Sequence, residues 1–284
     1  MLNVIPQIKT AVLLLVAGVL LATVTAVLIM ILMTGSDEIT TAQTGLLIGE
    51  ILLPIPIFFW AKRRRINMRS LFRLNPVSLN TILAAVPIAI GLTIIADEID
   101  RITQTLIKTP AGFSKIQEIM MITDPLSAFF VVGVVIIIAP FIEEIIFRGF
   151  LQRILERRLR DITKAILLSA LIFALIHFNP WWAIQIYIIG IFMGFVAWKT
   201  NSVWVSFFLH AFNNGVAVLF THLSEERLNW YEWHGHVSPL ILSAGLIILV
   251  GGLILFGRII PVINVSDDAI LIENFKKNGL KINL

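Results

Sequence analysis

The sequence predicts an all-α membrane protein, a polytopic bundle of about eight transmembrane helices with both termini in the cytoplasm. Three observations predict it. Of the 284 residues, 58% are apolar and only 14% charged, against about 45–50% and about 25% in an average soluble domain. The apolar excess lies in long runs that do not alternate with polar residues, so helices rather than a barrel are the expected spanning element. The basic residues gather between those runs, mostly on one side.

Taken in order, the candidate spans are 11–33, 43–61, 79–97, 126–150, 163–179, 181–198, 203–221 and 238–258. Each is near the roughly 20 residues that a helix needs to cross the hydrocarbon. The first exceeds the roughly 7–15 residues of a signal-peptide core and reads as a retained span. The fifth and sixth are separated only by Phe178-Asn179-Pro180-Trp181-Trp182, where the proline should end a helix. With the amino terminus inside, 18 of the 22 Lys and Arg residues fall on the cytoplasmic side, which sets the orientation. No repeat or linker divides the chain. We therefore read 1–284 as one membrane domain, with 126–221 as its catalytic core and 262–284 as a cytoplasmic tail. A long outer loop is expected over 98–125. The basic loop 62–78, including Arg69-Ser70-Leu71-Phe72-Arg73, reads as an anionic-lipid anchor.

Composition also excludes some functions. Cysteine is absent, which removes disulfides, a thiol nucleophile and cysteine metal sites. The net charge of +4 and pI near 9.6 do not indicate nucleic acid, because the basic residues form no aromatic-interleaved patch. The stretch Trp230-Tyr231-Glu232-Trp233-His234-Gly235-His236 pairs histidines with aromatics. It falls in an outer loop and reads as an interfacial belt rather than a metal site.

Polar residues inside spans are costly, about 2.5–3.5 kcal/mol for a charge, and usually mark a site. Three clusters stand out. Pro140-Phe141-Ile142-Glu143-Glu144-Ile145-Ile146-Phe147-Arg148 carries two acids and a base. Glu144 and Arg148 are four apart, share a helix face and can pair. Glu143 points about 100° away and is left unpaired, which suits a general base. His177 closes Phe173-Ala174-Leu175-Ile176-His177 on an otherwise apolar helix, where alone it would read as a packing histidine. His210 and Asn214 share one face of the seventh span. Alone they could ligate a metal, hold an oxyanion or bond a neighbouring helix. Together, a carboxylate, two imidazoles and an amide form a water-activating set. Glu143, His177 and His210 could also hold a divalent metal such as zinc.

These residues resemble the intramembrane proteases that group type II CAAX prenyl endopeptidases with bacteriocin-processing and immunity proteins, the CPBP or Abi family. The motif EExxxR matches Glu143 to Arg148, FxxxH matches Phe173 to His177, and HxxxN matches His210 to Asn214. Three motifs in order, each in its own span, make a specific signal. The resemblance implies peptide-bond hydrolysis in the membrane, with Glu143 activating water, helped by His177. His210 and Asn214 would stabilise the oxyanion, or His210 would help hold a metal. Glu144 and Arg148 would be structural. The expected partner is a membrane-embedded or lipidated peptide, with the bilayer itself and no nucleic acid, in the cytoplasmic membrane. A non-catalytic scaffold or bacteriocin-immunity protein is the alternative, and a transporter a weaker one, since no inverted repeat is visible.

One conflict follows from these boundaries. They put Glu143 at the cytoplasmic end of its span and His177 near the outer end of the next. Convergence within about one helix diameter, roughly 10–12 Å, requires either that the Phe178–Trp182 turn be embedded in the protein interior or that the span boundaries move. The cluster is the firmer guide, since boundaries are the weaker reading.

Overall fold

A computed structural model describes residues 6–107 and 118–261. The expected tail 262–284 lies outside the described residues, as do Lys108 and Lys115 of the outer loop. Eleven helices and one small hairpin are found among the described residues. Helix α1 is Ile8–Leu32. The second span, Glu38–Arg63, bends at Pro54 into α2 (Glu38–Leu52) and α3 (Ile55–Arg63). The short α4 (Met68–Leu71) precedes α5 (Leu79–Leu106) and the long α6 (Pro125–Leu159). Then come α7 (Ile162–Leu175), α8 (Ala183–Thr200), α9 (Val203–Thr221), α10 (Glu225–Leu228) and α11 (Pro239–Ile259).

Seven of the described helices are long and apolar enough to cross a membrane. The fold is the expected all-α polytopic bundle, with one span fewer than the eight counted. The missing one is α7, whose 14 residues reach only about 21 Å. It starts at an Asp161 cap, whose side chain accepts the Lys164 N–H. It ends before Pro180, in turns that include Phe178 at φ 48°.

Two expected boundaries move outward. Span four does not stop at residue 150 but continues to Leu159. The polar residues of Gln152–Leu159 fall below a hydropathy threshold, yet Gln152, Arg153, Ile154 and Leu155 are buried. Span three continues past 97 to Leu106, stitched by Arg101 Nε on Asp97 at 3.0 Å and Gln104 on Asp100 at 2.7 Å.

The bundle is inside-out in its use of apolar residues. Large side chains such as Leu13, Leu20, Leu32 and Leu240 face outward, as lipid solvation allows. Small residues sit where helices cross, the usual membrane solution. A Cβ on Gly91 would stand 2.6 Å from the Gly245 carbonyl, and one on Gly252 2.9 Å from Pro87, so glycine sets the approach of α5 and α11. Large residues fill the centre around α6, including Phe72, Phe147, Phe150 and Met193.

The basic loop departs from the lipid-anchor expectation at one end. Lys62 to Arg65 are exposed. Phe72 and Arg73, however, are buried. Arg73 donates to the Arg148 carbonyl at 3.3 Å and pairs with Glu156, pinning the loop to α6. The aromatic stretch 230–236 folds as a hairpin, with Glu232 opposite Val237 and Trp233 opposite His236. His234 and Gly235 both have positive φ, the requirement of a tight primed turn. The hairpin is clamped to α5: the Tyr231 hydroxyl donates to Asp97 at 2.9 Å, and His236 meets Glu98 at 2.9 Å. Burial and the Asp97 carboxylate push the Tyr231 hydroxyl well above its ordinary pKa. His236 thus faces Glu98 of α5 rather than lining up with His234 as a metal pair.

Candidate functional site

Helix α6 carries the acids on an α-helical turn, Ala139–Glu144, between two π-helical stretches, Phe129–Ile138 and Ile145–Leu151. Wide π turns are uncommon and often accompany functional sites. Here one cause is visible. Ala139 bonds back to the Val134 carbonyl, a five-residue step. The same step would pair Val135 with the N–H of residue 140, which is a proline and has none. The Val135 carbonyl is instead met by the Asn214 amide nitrogen at 3.0 Å. Pro140 therefore opens the ladder and Asn214 closes it from α9.

Glu144 and Arg148 form the expected ion pair at 2.8 Å, both essentially inaccessible. Arg148 also donates to the Gly190 carbonyl at 3.3 Å. A Cβ at Gly190 would lie 3.2 Å from that guanidinium, so glycine makes its room. Gln152, one turn on, repeats the pattern with the Gly194 carbonyl at 2.9 Å. These two bonds, each between residues 42 apart, run α8 parallel to α6.

His177 and His210 both come to Glu143. The His177 Nε2 is 3.9 Å from Glu143 Oε1, and the His210 Nε2 is 3.5 Å from Glu143 Oε2. The other ring nitrogen of each is anchored. Nδ1 of His177 is 2.7 Å from the Phe173 carbonyl, and Nδ1 of His210 is 3.3 Å from Glu144 Oε1. A carbonyl or carboxylate can only accept, so both Nδ1 atoms carry the proton. In the neutral rings both Nε2 lone pairs then face Glu143. His210 thereby bridges the two glutamates. Phe173 organises the cluster: its ring stands edge-on to His177 at 4.8 Å and to His210 at 5.8 Å, and Arg148 lies 4.2 Å from its centroid. The first residue of FxxxH is thus the packing hub of the site.

The depth conflict resolves through the longer α6. Arg160, at φ 54°, turns the chain between α6 and α7. Glu143 stands 17 residues before it and His177 17 residues after it. In an antiparallel pair those positions are level. Glu143 and His177 therefore meet although the turn after His177 is not enclosed by protein, since Phe178 is 80% exposed and Pro180 is exposed as well. Helices α7 and α8 form a hairpin whose second helix runs parallel to α6.

Asn214 shares a face with His210, but its amide nitrogen donates to the Val135 carbonyl rather than to Glu143. Asn213 is half-buried.

One residue escaped the sequence reading. Glu50 of α2 lines, with Glu143 and His177, a cleft of about 310 Å³. Its Oε2 is buried and has no hydrogen-bond partner, and it interacts electrostatically with Glu143. Its signal was available: a lone acid in the apolar run Leu46-Leu47-Ile48-Gly49-Glu50-Ile51-Leu52. Without a neighbouring polar residue at helical spacing it formed no pattern.

The donor chemistry suits a divalent ion. A carboxylate and two imidazoles with anchored Nδ1 atoms are a common zinc set with its supporting shell. As placed, no group of three or more His, Asp or Glu among the described residues is gathered closely enough to hold a metal ion. Glu143, His177 and His210 would have to draw together to do so.

The architecture is that of an integral membrane protein with a buried acid-imidazole cluster inside its spans. Residues 125–216 match the family model of Rce1-like proteins, type II CAAX prenyl endopeptidases. That similarity covers about a third of the chain and is consistent with the resemblance to CPBP and CAAX proteases expected from the motifs. The matched segment contains Glu143, Glu144, Arg148, Phe173, His177, His210 and Asn214; Glu50 lies outside it. Neither a curated protein nor a solved structure matches the chain.

Proposed function

We propose that the protein is an intramembrane endopeptidase that hydrolyses a peptide bond in a small membrane-embedded or lipidated peptide, by glutamate-activated water, in the cytoplasmic membrane. One observation carries this reading: a carboxylate and two Nε2 lone pairs, all acceptors, converge on one half-buried spot. Such a spot calls for a donor among them, and a water molecule supplies two O–H bonds.

In the proposed step Glu143 takes a proton as the water oxygen attacks the scissile carbonyl carbon. The proton passes to the amide nitrogen as the C–N bond breaks, giving a carboxylic acid and an amine; transfer of the acid's proton to the amine leaves a carboxylate and an ammonium. His177 orients the water. Asn214 keeps one N–H on Val135 and offers the other to the oxyanion, while His210, with its Nε2 an acceptor, helps hold the water or a metal. Glu144 and Arg148 hold His210 and the helix in place. A divalent ion would be held by Glu143, His177 and His210 and would polarise the carbonyl and the water.

The biological setting follows the family: processing of CAAX-type termini, maturation of a bacteriocin or pheromone, or self-immunity. The test is cleavage of membrane-anchored reporter peptides by the purified protein in vesicles. Wild type should release new termini and Glu143→Gln should not. Loss of cleavage on chelation, restored by zinc, assigns the metal; cleavage indifferent to chelation leaves the work to Glu143 and the histidines. A protein whose biological phenotype survives Glu143→Gln is a scaffold or immunity protein instead.

A further inference from the structure

From the residues around the cleft we infer that Glu50 is a substrate-binding residue, which takes the cationic side chain of a Lys or Arg flanking the scissile bond in an otherwise apolar peptide. The inference rests on the endopeptidase reading for the identity of the ligand, but its geometry is independent of the catalytic step.

Two observations carry it. First, the cleft of about 310 Å³ runs from the acids along α1 and α2, and its walls away from Glu50, Glu143 and His177 are formed by residues such as Ala22, Ala26, Gly49 and Phe178. That is a slot for a narrow apolar chain. Second, Glu50 lines this slot, and its Oε2 is buried with no hydrogen-bond partner. An unpaired polar atom in such a place is costly. It persists where a ligand supplies the missing donor.

Charge selects the kind of donor. Glu50, Glu143 and Glu144 bring three carboxylates to the region. Arg148 is already held by Glu144 and the Gly190 carbonyl. The histidines present ring nitrogens to Glu143, not to Glu50. One acid is needed at the water, so Glu50 is left facing the slot with no cation. An ammonium or guanidinium beside the scissile bond pairs with it and balances the site. A neutral peptide leaves it unpaired, and an acidic one adds like charge, which gives discrimination by exclusion as well as by attraction.

The test uses full-length protein carrying Glu143→Gln, so that peptides bind without being cut, in phosphatidylcholine nanodiscs whose lipids have no net charge. Three fluorescent membrane-partitioning peptides are compared, identical except for Lys, Leu or Glu at one position. The Lys peptide should bind at least about tenfold more tightly than the Leu peptide, in keeping with a desolvated ion pair. Adding Glu50→Gln should bring that ratio close to one, and adding Glu50→Lys should turn the preference toward the Glu peptide. A ratio near one before Glu50 is changed, or a ratio that survives Glu50→Gln, overturns the inference. Neither result touches the endopeptidase reading, which stands or falls on cleavage by the protein with Glu143 intact.

Discussion

Glu143 and Glu144 are neighbours in sequence and opposites in surroundings. Glu144 is shut away with Arg148, while Glu143 is half-buried between two imidazoles. The helical rotation of about 100° per residue makes the difference, and it separates the expected effects of mutation. Glu143→Gln removes the base and should lower cleavage by at least about a hundredfold, with thermal unfolding in detergent unchanged. Arg148→Met leaves the Glu144 charge buried and unpaired. It should cost about 3–5 kcal/mol of stability, whereas Glu144→Gln combined with Arg148→Met should cost less than the single change. The same unfolding measurement decides both. These residues were legible in the sequence because i,i+4 spacing on an apolar helix is a pattern. Glu50 was not, because a solitary acid has no pattern. Arg73 was not, because nothing in a basic loop marks the one arginine that turns inward.

At the scale of the helix, the exchange between Pro140 and Asn214 makes a coupled prediction. Pro140→Ala restores an N–H that can meet the Val135 carbonyl. Asn214→Ala alone should be destabilising by about 1–3 kcal/mol, and the penalty should shrink in the Pro140→Ala background. A double-mutant cycle of unfolding free energies measures this coupling, and strict additivity would contradict the account. Gly149 makes a second prediction. A Cβ there would sit 2.5 Å from the Phe72 carbonyl, whereas one at Gly251 meets nothing within 4 Å. Gly149→Ala should cost about 1–3 kcal/mol, and Gly251→Ala should leave stability unchanged or raise it by up to about 1 kcal/mol. The π stretches could not be read from sequence, since apolar residues all round a helix carry no periodicity to reveal a five-residue step. The length of α6 was misjudged for a related reason: hydropathy registers the lipid boundary, not the end of the helix.

Across the whole molecule, the three motifs lie far apart in the chain and meet because two turns, at Arg160 and Asn201, set antiparallel neighbours. Counting outward from Arg160 to Glu143 and His177 would have predicted their meeting. The expected spans concealed this by ending the fourth helix too soon. The distribution of basic residues predicts that 62–78 and Arg153–Lys164 face the cytoplasm, and with them the start of α7. The natural absence of cysteine makes that placement easy to check. Arg64→Cys should react with an impermeant thiol reagent only from the cytoplasmic side, and Ser36→Cys only from the opposite side. Reversed labelling would invert the bundle.

The most direct measurement of the central claim compares membrane-associated peptides from cells expressing wild-type protein or Glu143→Gln at equal levels, by sequencing their termini. The account predicts new termini that occur only with the wild type and matching precursors that accumulate with the variant. Indistinguishable termini, with the variant inserted and folded, would contradict it and leave Glu143 as part of a buried polar scaffold.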